Sequence, residues 1–464
     1  MVDVVSELRE IVGGDNVLAG LSSLRRFFQD PVGDCGLVLV RPRDEYELNE
    51  VMVAAYRNGC SVYSLRREQI DASLARGRGV LLDLSRMDTV KKIDRRNLMA
   101  HIYAGVTYES LQKECLERGC KLLLPAAARS RSVLRSYLDR DILNGNAVHR
   151  FPQLSLFHAV LSDGRVWISG SQQLTSEGIA DFREDQGPQL SPFFGASEDI
   201  FGIPFYGIIY LYPLREERRV LLFGFEELEP ALALAYKVNR EEHCFECLTA
   251  DARYLSVLLS SRADDAEGLR ARLPAWTTAV SLEHHAELVD LWEKYVREDA
   301  TRLGGRPLDA ELAAAVDRKL QVPWYVQERD YLRGRCELVE HYDLRKRIPR
   351  LLSMVREAAE ARGYPRGEVG QALIPVYFGG SFYCESDLYF DPSRESERER
   401  AREAVLAGYR VLLEEGSYVD RPRGEVAEMV YGRANAGFVK AMRTLKDILD
   451  PRGLLNPGQL LEGV

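Results

Sequence analysis

The side chains able to do chemistry are scattered along this 464-residue chain rather than gathered in one short signature. Cys244 and Cys247 stand as Cys-Phe-Glu-Cys, the one close pair among eight cysteines. A zinc-type site needs a second ligand pair at matching spacing, and none follows. The pair therefore reads as two buried or half-buried thiols at a helix start, and no metal is expected. His284 and His285 are adjacent on an expected helix start. Adjacent helical residues point to different faces and cannot share an i, i+4 ligand site. His149, His158 and His243 have no paired ligands nearby, and His101 and His341 fall in expected strands. No Gly-x-Ser-x-Gly, His-Glu-x-x-His or P-loop lysine motif occurs, so hydrolase and NTPase chemistry lacks support. No Gly-x-Gly-x-x-Gly follows a strand, so a nicotinamide site is not indicated.

The elements that must position any site follow from apolar patterning. Hydrophobic residues make up 46% and charged residues 29%, which suits a folded chain with a large core. A net charge of -9 argues against a nucleic-acid partner, which selects for basic excess. The first ten residues are acidic and amphipathic, unlike a targeting segment. The apolar run from Gly202 to Leu214 is shorter than the ~20 residues of a membrane helix. With scattered cysteines, these features point to a cytoplasmic protein without a membrane span.

Gly36 to Val40 reads as a strand ended by Arg41-Pro42, and Asp44 opens a helix from Glu45 to Asn58 that Gly59 stops. Ser61 to Ser64 and Val80 to Leu84 are further strands. Val90 to Ile93 and Met99 to Tyr103 form a strand pair. Thr107 caps a helix through Arg118, and Lys121 to Leu124 is expected as a strand ending at Pro125. Leu154 to Leu161 and Val166 to Ser169 form a hairpin across Ser162 to Arg165. Pro204 to Leu214 is a strand, and the charged stretch Arg215 to Arg219 marks a domain boundary. Beyond it, expected helices (Glu227 to Asn239, Leu282 to Arg297, Asp309 to Leu320) mix with strands at Thr277 to Val280, Glu337 to Tyr342 and Leu373 to Tyr377. Ser393 to Arg402 is the solvated face of a helix. A last helix, Asn435 to Leu449, must end at Asp450 because Pro451 cannot continue it.

This order of segments resembles the p-cresol methylhydroxylase and vanillyl-alcohol oxidase family of flavoproteins. The resemblance is carried by Val38 to Ala54 (VLVRPRDEYELNEVMVA), Gly79 to Met87 (GVLLDLSRM), Gly105-Val106-Thr107 with Leu111, and Gly202-Ile203. The most specific part is Leu445 to Gly458, similar to a terminal K-x-x-x-D-P-x-x-x-x-N-P-G that includes Asn456. The matches run from about residue 36 to 460. Glycolate oxidase and D-lactate dehydrogenase-type flavin subunits share the layout, and Ser417 to Tyr431 (SYVDRPRGEVAEMVY) is closest to subunits found beside iron-sulfur partners. The resemblance implies an α+β fold: a two-part FAD-binding domain (1–215), an antiparallel-sheet cap domain (216–430) and a C-terminal segment (431–464) returning to the first. It implies FAD as cofactor and hydride removal from an alcohol, hydroxy acid or phenol.

Three stretches depart from the family's pattern. Its pyrophosphate loop uses glycines so that backbone can approach phosphate closely. The corresponding run here, Leu65 to Ser73 (LRREQIDAS), has none. A carboxylate about 5 Å from one phosphate charge costs ~3 kcal/mol at an effective dielectric near 20. Arg66 and Arg67 could offset Glu68 and Asp71, but they cannot restore the space. The second loop, Ala126 to Leu138 after Pro125, carries Arg129 and Arg131 where glycines and small residues are usual, while its Ser132 to Leu138 part still resembles one subgroup. The third, Gly195 to Gly202, is one residue longer than the family's G-x-x-G-x-x-G and has acids in place of its middle glycine. Arg66, Arg67, Ser73, Pro125, Ser132, Gly202, Ile203 and Asn456 are thus the vestigial cofactor positions.

Tyr383 stands where related subunits place a histidine, Arg421 matches an Arg-Pro pair that clamps a carboxylate or forms a structural ion pair, and Tyr431 lies beside it. The reading is a non-catalytic paralogue that has lost normal FAD binding, a scaffold beside a catalytic flavoprotein and an iron-sulfur subunit. The alternative is an active FAD-dependent dehydrogenase with an arginine-lined pyrophosphate site. A third reading is a non-redox small-molecule-binding module.

Overall fold

The computed structural model describes residues 2–28, 36–65, 79–141, 153–174, 183, 185, 187–376 and 379–460. Four short strands form the first sheet: β1 (Val17–Ala19), β2 (Leu37–Val40), β3 (Ser61–Ser64) and β4 (Gly79–Leu82), in the order β1-β2-β4-β3. β2, β4 and β3 are parallel and buried almost throughout, as their unbroken apolar runs require. The crossover from β2 to β3 is the helix Glu45–Asn58. Asp44 caps it by accepting from the amides of Tyr46 and Glu47, Gly59 ends it at φ +64°, and Leu48, Val51, Met52 and Ala55 are buried.

The next seven strands are β5 (Val90–Asp94), β6 (Met99–Tyr103), β7 (Cys120–Lys121), β8 (Leu154–Val160), β9 (Val166–Ile168), β10 (Ile203–Tyr210) and β11 (Tyr212–Pro213). Five form an antiparallel sheet in the order β5-β6-β10-β8-β9, while β7 pairs with β11. Thr107 caps the helix Tyr108–Glu117 as expected. Only Cys120–Lys121 of the expected Lys121–Leu124 strand region is extended in a ladder. Leu122 to Leu124 are buried apolar residues of a connection. Their composition matched a strand, but the Leu122 amide donates to the Gln112 side chain (2.9 Å) rather than into a ladder.

The remaining strands are β12 (Glu217–Phe225), β13 (Glu246–Asp251), β14 (Trp276–His284), β15 (Arg306–Pro307), β16 (Arg335–Asp343), β17 (Gly370–Val376) and β18 (Ser381–Phe390). They form one seven-stranded sheet in the order β15-β12-β14-β13-β17-β18-β16, antiparallel in every pair. The charged stretch at Arg215 leads straight into β12, where Glu217, Arg218 and Arg219 already pair with β14. Alternate residues feed two cores. Leu221, Phe223, Cys247 and Val280 face one side, and Leu222, Leu248, Ala250 and Ala279 face the other.

The helix expected from Leu282 begins at Ala286 instead, because Leu282 to His284 complete β14. His284 therefore ends a strand and His285 is the N-cap position of the next helix, their rings 5.0 Å apart. Cys247 lies on β13 and Cys244 in the preceding turn, so neither opens a helix; burial pushes both thiols up, Cys244 to about 12. The charged run near Ser393 becomes the helix Glu395–Glu414. Asn435 caps the last long helix, Ala436–Leu449, which stops at Asp450.

Candidate functional site

Arg66, Arg67 and Ser73 lie outside the described residues. Of the other vestigial positions, Asn456 meets the end of β3. Asn456, at φ +42°, donates from Nδ2 to the Glu198 carbonyl (2.8 Å), and its Oδ1 accepts from the Ser64 amide (2.8 Å). Its own amide donates to the Val62 carbonyl, so this side chain ties the chain's last turn to both β3 and the 195–202 loop. Lys446 reinforces the turn by donating to the Ile200 and Leu455 carbonyls.

At the same junction, the Asp199 carboxylate accepts from Arg135 Nη1 (2.6 Å) and Ser64 Oγ (2.7 Å). Both ends of the ion pair are buried, with side-chain exposures of 4% for Arg135 and 6% for Asp199. Arg135 comes from the helix Val133–Leu138, all six residues of which are buried. Glu198 pairs with Arg423 (3.0 Å). The backbone here keeps a shape that glycine adopts readily: Ala196, Glu198 and Asp199 have φ of +54°, +52° and +57°. Gly202 remains a glycine for a packing reason, since a Cβ would come within 3.0 Å of the Phe194 ring and 3.2 Å of the Val160 carbonyl oxygen. Ile203 starts β10 and is fully buried.

The second loop is tied down through its main chain. Pro125 O accepts from the Trp324 amide (2.9 Å), Ala128 N donates to Trp324 O (2.8 Å), and Val326 N donates to Ala128 O (3.1 Å). Ala126, Ala127 and Ala128 are buried. Ser132 Oγ accepts from the Arg135 amide as the cap of its short helix.

Two of the three catalytic candidates, Tyr383 and Arg421, belong to a second buried cluster. Tyr383, Glu385 and Asp387 alternate along one face of β18, and Glu340 of β16 stands directly opposite Glu385. Acids facing each other across strands repel unless cations intervene. Arg329 pairs with Glu385 and Asp387, Arg421 with Asp141 and Glu340, and Arg129 with Glu340. The Tyr383 hydroxyl lies 2.8 Å from Glu340 Oε1 and 2.6 Å from Glu385 Oε2. Its single proton can serve one of these contacts, so the other needs a proton on a carboxyl group. Among the described residues the cluster has four acids (Asp141, Glu340, Glu385, Asp387) and three arginines. Burial pushes Asp387 up to about 8 against the pull of Arg329, consistent with one retained proton. Burial, with Glu340 and Glu385 beside it, also raises Tyr383 well above its ordinary value, which makes it a still poorer base. Arg421 takes the structural ion pair of its two sequence readings. Tyr431 packs against the first core, its hydroxyl raised by burial and then by Glu198.

Sequence reasoning missed Arg135, Arg329 and Glu340. The signal for Arg135 was present, because it is the one charged residue of a six-residue helix. Arg329 and Glu340 carried no local signal; only strand pairing and the segment 326–332 bring them to β18.

Among the described residues, no group of three or more His, Cys, Asp or Glu could hold a metal ion, and no helix is long and apolar enough to cross a membrane. Residues 37–168 match the FAD binding domain family, and residues 426–460 match the family of FAD linked oxidases, C-terminal domain. Similar solved structures include p-cresol methylhydroxylase with substrate bound, at 18% identity and TM-score 0.85, covering 99% of this chain and 96% of that one. The isoeugenol complex of 4-ethylphenol oxidase from Gulosibacter chungangensis gives the same four values. Alkyldihydroxyacetonephosphate synthase matches at 13% identity and TM-score 0.70, covering 98% and 86%. At these identities the likeness is one of fold. The chain thus carries an FAD binding domain segment and an FAD-linked-oxidase C-terminal segment on the p-cresol methylhydroxylase and vanillyl-alcohol oxidase type of fold, as its sequence resemblance indicated.

Proposed function

We propose that this member of a flavin-dependent oxidoreductase family is a non-catalytic paralogue, a scaffold subunit that does not hold FAD in the ordinary way. The observation that carries the reading is the buried Asp199 carboxylate, shared by Arg135 and Ser64 where the cofactor loops converge. A diphosphate there would have to displace a carboxylate already neutralised by its own arginine. Each unscreened carboxylate–phosphate contact at about 5 Å opposes binding by ~3 kcal/mol. The described residues therefore do not fit a dinucleotide at this junction, and no catalytic step is derived through one. The cap-side cluster supports the same reading, since Tyr383 is engaged with Glu340 and Glu385, and Arg421 with Asp141 and Glu340, rather than presented to a substrate.

The scaffold reading calls for partners: a catalytic flavoprotein relative and an iron-sulfur subunit, in the cytoplasm, with segments 1–215, 216–430 and 431–464 as the working domains. The absorption spectrum of the purified chain is the test. Colourless protein that takes up no added FAD is expected, and stoichiometric bound flavin overturns the proposal. Co-purification from the native source is expected to bring flavin- and iron-containing subunits, whereas a clean monomer argues against the complex. The alternative of an active dehydrogenase, with Arg66 and Arg67 holding the diphosphate, draws on the FAD binding domain match and predicts the opposite spectrum.

A further inference from the structure

The helix Val133–Leu138 ends in a turn that glycine usually makes. The Asp141 amide donates to Ser136 O (3.0 Å) and the Arg140 amide to Tyr137 O (3.2 Å), the pairing of a Schellman turn. Arg140 occupies its left-handed position at φ +56°. A bulky side chain held in that conformation invites the question of what it is held for. The Arg140 guanidinium reaches Asp420 (2.9 Å), but its Nε is buried without a hydrogen-bond partner among the described residues.

Arg140 borders a cavity of about 170 Å³ shared with Tyr137, Leu138, Gln153, Phe157 and Ser191. A dry cavity of ~150 Å³ is known to accommodate one benzene ring, so this space is ring-sized. No residue of the seven-stranded sheet lines it, and among the described residues it touches the Tyr383 cluster through Asp141. Gln153 is 5% exposed; its Oε1 accepts from the Tyr212 hydroxyl (3.0 Å), and its Nε2 has no partner among the described residues. Arg183 also borders the space, and the one acid among the described lining residues, Asp141, is already held by Arg421 and Ser136. Both unpartnered atoms are N–H donors, so what they lack is an acceptor. Two arginines on the wall favour an anionic acceptor.

We propose that this cavity binds a small aromatic carboxylate of benzoate's size, its ring against Leu138 and Phe157 and its carboxylate on Gln153 and Arg140. Titration calorimetry of the full chain with benzoate, benzyl alcohol and inorganic phosphate tests this. One benzoate per chain is expected, with benzyl alcohol and phosphate each weaker by about tenfold or more, and with Gln153→Leu weakening benzoate by about tenfold. Absence of benzoate binding at millimolar concentration, equal binding of phosphate, or unchanged affinity in Gln153→Leu overturns the inference. Should Gln153→Leu fail to fold, Ser191→Phe, which fills the space from another wall, is expected to abolish binding, and retained binding overturns the inference. The outcome is separable from the scaffold reading: colourless protein that ignores benzoate sinks only this site, and yellow protein that binds it sinks only the scaffold.

Discussion

The two buried charge clusters differ in what holds them. The Arg135–Asp199 pair joins a short helix to a loop, balanced one to one, with the loop backbone at Asp199 bent as glycine would bend it. The Glu340–Tyr383–Glu385–Asp387 cluster sits on paired strands, where alternation fixes which side chains meet, and carries one more acid than arginine. A loop can replace a ligand with side chains while keeping its path. A strand cannot change which residue faces inward, so its cluster must be neutralised by arginines brought from elsewhere and by a proton.

The comparison can be broken experimentally. Arg329→Met leaves Glu385 and Asp387 buried without their cation, and is expected to destabilise the chain by about 3–5 kcal/mol in urea unfolding. Adding Asp387→Asn should recover part of that loss. Asp199→Leu strands one buried arginine and is expected to cost about 3 kcal/mol, and the double change Arg135→Met with Asp199→Leu should restore most of it. A single-variant cost below about 1 kcal/mol would show that water reaches the pair.

The pH dependence sharpens the difference. Asp387 is raised from 3.8 to about 8 on folding. Its folded state binds the proton more tightly, so this contribution to stability is fully present below about pH 4 and is lost as pH rises through 8. Asp387→Asn should flatten the urea-midpoint profile across that window, and an unchanged profile would place the retained proton elsewhere. The smallest effect is expected for Ala196→Gly. Relief of the left-handed residue and the greater freedom of the unfolded chain nearly cancel, leaving a change within about 1 kcal/mol.

These clusters also explain what was legible. The β2–helix–β3–β4 unit, the β8–β9 hairpin and the capped last helix could be read because apolar period, turn residues and caps are local. Leu122 to Leu124 and Leu282 were misread because pairing partners, not composition, decided their state. The cap-side cluster was half visible: Tyr383 and Glu385 are two residues apart on one strand face, while Arg329 and Glu340 arrive through distant chain. In the loops, the altered glycine places were visible, but the partner of Asp199 was not, since Arg135 lies 64 residues away.

Asn456 imposes an order on assembly. The bond from the Ser64 amide to its side chain spans 392 residues. During synthesis at ~5–20 residues per second, the outer edge of the first sheet must wait roughly 20 to 80 s for its closing residue. Until then β3 offers an unfinished border to whatever binds it first. A ribosome-bound chain halted just before Asn456 should therefore stay protease-sensitive at residues 61–64 and become resistant once the final turn emerges.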